Sequence, residues 1–233
     1  MTVNQDEPHP QIPPICPVGE TDCPIVTEVA ELRQNLTELS NLIRTDTLTG
    51  IANFRYFQQA LEQEIERTQR SGQPTSLIML DIDFFKTVND QWGHEAGNRA
   101  LIHISRLLQQ IVRKLDIPCR YGGEEFAIIL PDTNLSASIP VAERIRQGIE
   151  KSPLDVDGQA VPMTVSLGIT TYTNKQQTTV EDLVKQADQY LYQAKETGRN
   201  QVCHADLPCV DIVTTEERQA LSELFGSGTT KKD

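Results

Sequence analysis

Hydrophobic positions along this chain come in blocks whose spacing changes from one to the next. Residues 1–24 carry Pro8, Pro10, Pro13, Pro14 and Pro17 among polar neighbours and show no core pattern, which predicts a flexible or extended arm. From Ile25 the apolar positions Ile25, Val29, Leu32, Leu36, Leu39 and Ile43 alternate spacings of four and three. With Val29, Leu36 and Ile43 at a, and Ile25, Leu32 and Leu39 at d, β-branched residues at a and leucine at d favour a parallel two-stranded coiled coil. The narrow stripe predicts a stalk helix over 25–45 that pairs two chains through residues 25–44; the alternative is an amphipathic helix packed on its own domain. The stripe stops at the turn-rich segment Asp46–Gly50.

Beyond that joint the pattern predicts a helix from Asn53 to about Arg70, with Phe57, Leu61 and Ile65 on one face. An apolar run from Thr75 to Met79 reads as a buried strand ending at Asp81 and Asp83. A helix follows from Asn98 to about Leu115, with Leu101, Ile104, Leu108 and Ile111 inward, and then a hairpin turning at Gly122-Gly123 into a strand over Phe126–Leu130. Helix over Leu135–Ile149, strand over Met163–Tyr172, helix over Thr179–Lys195 and a short strand over Gln201–His204 complete residues 46–205. Strands and helices alternating around one hairpin imply an α+β domain, a mixed sheet covered by helices. In 206–233, Thr214 and Glu217 form a capping box ahead of Leu221, Leu224 and Phe225, which predicts a short C-terminal helix and then a disordered tail.

Composition narrows the function. A net charge of −12 and a pI near 4.8 leave no general attraction for nucleic acid or an anionic membrane. No stretch approaches a membrane span, and no signal peptide opens the sequence. The five cysteines, Cys16, Cys23, Cys119, Cys203 and Cys209, are odd in number and scattered, which favours free thiols in a reducing cytoplasm. Cys16 and Cys23 have only His9 nearby, too few ligands for a metal site.

The chemistry concentrates in Arg120-Tyr121-Gly122-Gly123-Glu124-Glu125-Phe126 and in Asp81-Ile82-Asp83-Phe84-Phe85-Lys86. Two acids at a rigid hairpin tip suit a divalent cation and a phosphate substrate; alone, they read better as a solvated turn with two surface acids. Carboxylates at the end of a buried strand need a partner or a metal.

Five segments in order make the chain resemble the diguanylate cyclases of the GGDEF family over roughly Asp46 to Val202. They are Asp46–Phe57 (DTLTGIANFRYF), Leu80–Asn98 (LDIDFFKTVNDQWGHEAGN), Arg113–Phe126 (RKLDIPCRYGGEEF), Thr164–Thr170 (TVSLGIT) and Ala187–Asn200 (ADQYLYQAKETGRN). The resemblance implies a five-stranded mixed sheet like the palm of nucleotidyl cyclases and polymerases. It implies condensation of two GTP into cyclic di-GMP with loss of two pyrophosphates. Asp81, the Ile82 carbonyl and Glu124 would bind magnesium, two ions per site, with manganese as a substitute. Glu125 supports the metal or the attacking group, and Arg120 offsets transition-state charge. Lys86, Lys195, Arg199 and the amides of Phe84 and Phe85 take the phosphates, while Asn89 and Asn98 meet the guanine.

The family usually has Asp where this chain has Asn98. An amide offers one donor and one acceptor where a carboxylate offers two acceptors. Relaxed base choice with a mixed cyclic GMP-AMP product is therefore one alternative activity; a non-catalytic cyclic di-GMP or GTP sensor on a degenerate cyclase fold is the other. Arg113 and Asp116 match the family's inhibitory RxxD motif, with Arg144 as a second arginine; out of context they read as an i, i+3 helix pair. The implied partners are GTP, cyclic di-GMP, a second copy through the stalk and a regulatory protein docking on the stalk.

Overall fold

A computed structural model of the protein describes residues 24–42, 44–175 and 177–205. Its elements run α1 (Pro24–Leu42), α2 (Phe54–Ser71), β1 (Thr75–Ile82), α3 (Phe85–Ile111), β2 (Ile117–Gly122), β3 (Glu125–Leu130), α4 (Leu135–Glu150), β4 (Leu154–Val156), β5 (Gln159–Val161), β6 (Val165–Tyr172), α5 (Val180–Glu196) and β7 (Val202–His204). The main sheet has five strands in the order β2-β3-β1-β6-β7. β1 is central, antiparallel to both β3 and β6, and β7 joins β6 in parallel, so the sheet is mixed.

All eight residues of β1 are buried because both faces of the sheet are covered. Ile78, Leu80 and Ile82 pack with Leu101, Ile104 and Leu108 of α3 and with Ile145 and Ile149 of α4. Leu77 and Met79, pointing the other way, pack with Phe57, Leu61 and Ile65 of α2 and Leu183, Ala187 and Leu191 of α5. Each fully buried side chain of this size contributes about 1.5–3 kcal/mol. Caps fix the helix starts: Asn53 accepts from the Tyr56 amide, and Thr179 with Asp182 closes a capping box on α5.

Several expectations are corrected. The helix expected from Asn98 begins at Phe85 and is broken at Gly93, whose φ is +83°. It ends at Ile111 rather than Leu115, because Asp116 Oδ2 accepts from the Arg113 amide at 2.8 Å and the Asp116 amide donates back to the Arg113 carbonyl at 3.0 Å. This side-chain-closed turn competes with a further helical turn. The hairpin reversal is centred one residue later than expected: Gly122 pairs with Glu125, leaving Gly123 (φ +48°) and Glu124 between them. Glu124 therefore sits at the tip and Glu125 opens β3. The β4–β5 hairpin has no counterpart in the sequence-based expectation; its turn residues Asp157 and Gly158 both have positive φ.

On α1, Ile25 and Leu32 are exposed and Val29 is half-buried. The side chains of Leu36, Leu39 and Ile43, the N-terminal arm with His9, Cys16 and Cys23, and the expected C-terminal helix and tail lie outside the described residues. Cys119 and Cys203 are free thiols.

Candidate active site

The antiparallel register sets Asp81 directly opposite Glu125 on one side and Ser166 on the other. Strand alternation turns Asp81 toward the α5 face, where Lys195 Nζ lies 2.8 Å from Asp81 Oδ2. Asp81 is only 8 % exposed. Burial raises its pKa most; Lys195 opposes, Glu124 and Asp83 add to the rise, and the carboxyl ends above its ordinary range. Glu125 is raised in the same way, by burial first and then by Asp81, against the pull of Lys195. The site thus holds more negative charge than its one close cation neutralises.

Lys195 reaches this point because α5 lies unusually close to β6. A Cβ at Gly168 would fall 2.2 Å from the Ala187 carbonyl oxygen and 2.2 Å from the Leu191 amide nitrogen. Only a residue without a side chain lets the helix backbone settle there.

β1 runs out into Asp83 and Phe84 before α3 begins. Asp83 is buried and fully hydrogen-bonded within the protein. Its Oδ1 accepts from Ser166 Oγ at 2.7 Å, and its Oδ2 from Thr164 Oγ1 at 2.7 Å and the Asn200 amide at 3.0 Å. Phe84, at φ +56°, is 64 % exposed and carries the Arg199 guanidinium over its ring at 4.7 Å. The first-turn amides of α3, at Phe85 and Lys86, have no intrahelical acceptor and form an anion-binding end. Lys86 is exposed beside them. The break at Gly93 folds the second half of α3 back, so that Asn89 Oδ1 comes within 1.9 Å of where a Gly97 Cβ would be. Asn89 is thereby brought against the segment that bears the exposed Asn98.

Arg120 is engaged locally. Its Nε and Nη2 donate to the Gly123 carbonyl at 3.1 and 3.0 Å, and Nη1 lies 3.3 Å from both oxygens of Asp46. Asp46 also accepts from the Thr49 amide and hydroxyl. Burial raises its pKa most as a single effect, but the Thr49 hydrogen bonds and Arg120 together outweigh it and hold the carboxyl below its usual value. Sequence reasoning missed this clamp between the joint and the hairpin tip. It also missed Gly168, Asn200 and Arg146, although Gly168 and Asn200 stand inside motifs it singled out.

On another part of the surface, Arg44, Tyr56, Arg113, Lys114 and Asp116 line a cavity of about 380 Å³. Arg144 points toward the same helix end, donating to the Ile111 carbonyl at 3.0 Å. Arg113 and Asp116 lie in a turn, which removes the helix-pair reading.

Residues 43–201 match the family model described as diguanylate cyclase, GGDEF domain. The chain belongs to the GGDEF family. It is 43 % identical over 173 residues to the response regulator PleD of Caulobacter vibrioides, a match covering 73 % of this chain and 38 % of PleD. Among solved structures it resembles the diguanylate cyclase SiaD in complex with its activator SiaC from Pseudomonas aeruginosa. That match has 38 % identity and a TM-score of 0.67, covering 78 % of this chain and 71 % of that one. The coiled coil and GGDEF domain of DgcB from Caulobacter crescentus, in complex with c-di-GMP, matches at 29 % identity and a TM-score of 0.67, covering 78 % and 95 %. The chain spans less than half the length of the curated relatives it matches.

Among the described residues of this GGDEF domain, no three His, Cys, Asp or Glu side chains form a closed metal cage. An open site fits magnesium, which takes one or two carboxylates and fills its shell with substrate phosphates and water. The hard-oxygen donors Asp81, Glu124 and the Ile82 carbonyl, and the uncompensated charge around Asp81, suit such an ion. No helix among the described residues is long and apolar enough to cross a membrane.

Proposed function

We propose that this chain is a diguanylate cyclase that condenses two GTP molecules into cyclic di-GMP and releases two pyrophosphates. The observation that carries the reading is the meeting of Asp81, Glu124, Glu125 and Lys195 beside the open N-terminus of α3. Each 3′-oxygen bonds to the α-phosphorus of the other nucleotide; the bond from that phosphorus to the pyrophosphate oxygen breaks, and the hydroxyl proton is lost.

Lys86, Lys195, Arg199 and the amides of Phe84 and Phe85 hold the triphosphate, and catalysis rests on that positioning and charge stabilisation. Magnesium, held by Asp81, the Ile82 carbonyl and Glu124, supplies positive charge to the phosphates when bound, with manganese as a substitute. Glu125, raised by burial and by Asp81, supports the attacking group from β3. Arg120 holds the hairpin tip through Gly123 and faces the charge that develops there. Asn89 and Asn98 meet the base.

Each domain holds one nucleotide, so turnover needs two domains face to face. The exposed Ile25 and Leu32 of α1 support pairing through residues 25–44, which raises the effective concentration of the second domain. The cavity bearing Arg113 and Asp116, with Arg144 at the neighbouring helix end, takes the product and slows the enzyme, arginine forks gripping guanine or phosphate. SiaD is solved in complex with its activator SiaC, which supports a regulatory protein for this chain as well; the outward faces of the stalk are where it docks. A GTP substrate supports a cytoplasmic location.

Asn98 favours a second reading, relaxed base choice. Its amide pairs with the N1–H and O6 of guanine or with the N1 and N6 of adenine. Chromatography of products after incubation with GTP and magnesium, then with GTP plus ATP, tests both. Cyclic di-GMP in the first arm is the expected result, and cyclic GMP-AMP in the second arm supports the second reading. No cyclic dinucleotide in either arm, from a dimeric preparation, would leave the sensor in its place.

A further inference from the structure

Three successive residues after α5 have positive φ: Gly198 at +125°, Arg199 at +60° and Asn200 at +47°. Glycine adopts that conformation freely. Arginine and asparagine in succession hold it only where their surroundings over-determine it. This turn aims Arg199 over Phe84.

Its restraints come from two places. At the backbone, the Asn200 amide donates to the buried carboxylate of Asp83 at 3.0 Å, and the Arg199 amide to the Ala194 carbonyl at 2.9 Å. At the side chain, Asn200 is gripped from α4: Oδ1 accepts from Arg146 Nη1 at 2.9 Å, and Nδ2 donates to Glu150 Oε1 at 2.7 Å. Arg146 is itself fixed on α4 by Glu143 at 2.9 Å and Glu150 at 3.0 Å, and its side chain is only 16 % exposed. A planar guanidinium with three acceptors around it is a pre-organised strut.

We propose that Arg146 is a positioning residue for the nucleotide: through Asn200 it holds the 198–200 turn that presents Arg199 to the triphosphate. It does not touch the substrate. Its contribution passes wholly through Arg199, and this inference rests on the reading of Arg199 as a phosphate ligand. Losing the strut leaves Asn200 Oδ1 without its Arg146 donor and lets the strained turn relax toward negative φ, which swings Arg199 away from Phe84.

Affinity for GTP, read with its α,β-methylene analogue and magnesium so that the bond broken in turnover is replaced by an inert P–C bond, tests this in the full chain. The variants are Arg146→Ala, Arg146→Lys, Arg199→Ala and the double variants, each with its thermal midpoint. Arg146→Ala and Arg199→Ala are each expected to weaken GTP binding roughly tenfold, the scale of one lost charge-assisted contact. The double variant is expected to be no weaker than Arg199→Ala alone, because the two residues act in series. Arg146→Lys keeps the charge but not the fork and should fall between. If Arg146→Ala does not fold, the cycle is read with Arg146→Lys instead.

Losses that multiply in the double variant, or a lowered midpoint with unchanged GTP affinity, would overturn the proposal. So would a loss at Arg199→Ala with none at either Arg146 variant; this last result leaves the phosphate-ligand reading standing. A wild-type chain that binds no GTP, or an Arg199→Ala variant that binds it normally, removes that reading and the inference with it.

Discussion

Replacing Gly168 by alanine should damage the site without touching any residue in it. Gly168 lies in regular β6, not at positive φ, so the effect is steric and not conformational. The added Cβ would sit 2.2 Å from two backbone atoms of α5, whereas ordinary contact begins at 3.4 Å. Helix backbone cannot rotate aside as a side-chain tip can, so α5 must retreat by about 1.2 Å. Lys195 rides on that helix, and its 2.8 Å contact with Asp81 would open to about 4 Å, past the range of a charge-assisted hydrogen bond. Overpacking of this kind costs about 1–3 kcal/mol, which for a domain of this size corresponds to a midpoint about 2–12 °C lower. A misplacement of about 1 Å in a positioning group can cost on the order of 100-fold in rate. Calorimetry and GTP turnover measure the two effects. Gly148→Ala is the control, since its Cβ would meet only the mobile tip of Ile111 at 2.7 Å. A Gly168→Ala protein with wild-type midpoint and wild-type turnover would refute the reasoning.

Three other outcomes follow from the geometry. Asp46, its pKa lowered in the fold, contributes stability that is present above the unfolded carboxyl pKa of about 4 and lost as pH falls through the lower folded value. Asp46→Asn should therefore flatten the acid limb of a stability-versus-pH curve, and an unchanged limb would count against the clamp. Arg113→Ala should relieve inhibition by added cyclic di-GMP while sparing initial velocity, read from progress curves with and without product; full inhibition in the variant would remove the cavity from regulation. Deleting residues 1–42 keeps the joint intact, and should make specific activity rise steeply with protein concentration in a dilution series. A truncated protein equally active at all dilutions would end the dimer argument.

The fold class was legible because apolar spacing marks helices and strands directly, as at Phe57, Leu61 and Ile65 or along Thr75–Met79. The candidate site was legible because its acids and cations lie in short contiguous segments. Misreadings arose where a local side chain overrides periodicity. Asp116 closes a turn that ends α3 early, and Gly93 breaks the same helix inside an apparently continuous pattern. The β4–β5 hairpin went unread because its strands of three residues are too short to show alternation, although Asp-Gly is a favoured hairpin turn. The Asp83–Asn200–Arg146 contacts were not legible at all. They join residues 117 and 54 positions apart, and no spacing rule reports who meets whom over such separations.

The joint between α1 and α2 has a consequence for how this protein is cut. Thr45 bridges Ala52, and Ala52 bridges Cys119 on β2, the border strand of the sheet. The Ala52 amide donates to the Pro118 carbonyl, and the Arg120 amide donates to the Ala52 carbonyl. The segment that leads in from the stalk is therefore also a hem that occupies otherwise vacant main-chain groups. Unhemmed strands recruit other chains. A fragment trimmed to begin at Asn53 would keep every candidate GTP-binding residue and yet present a sticky margin, so its aggregation would say nothing about whether those residues bind GTP.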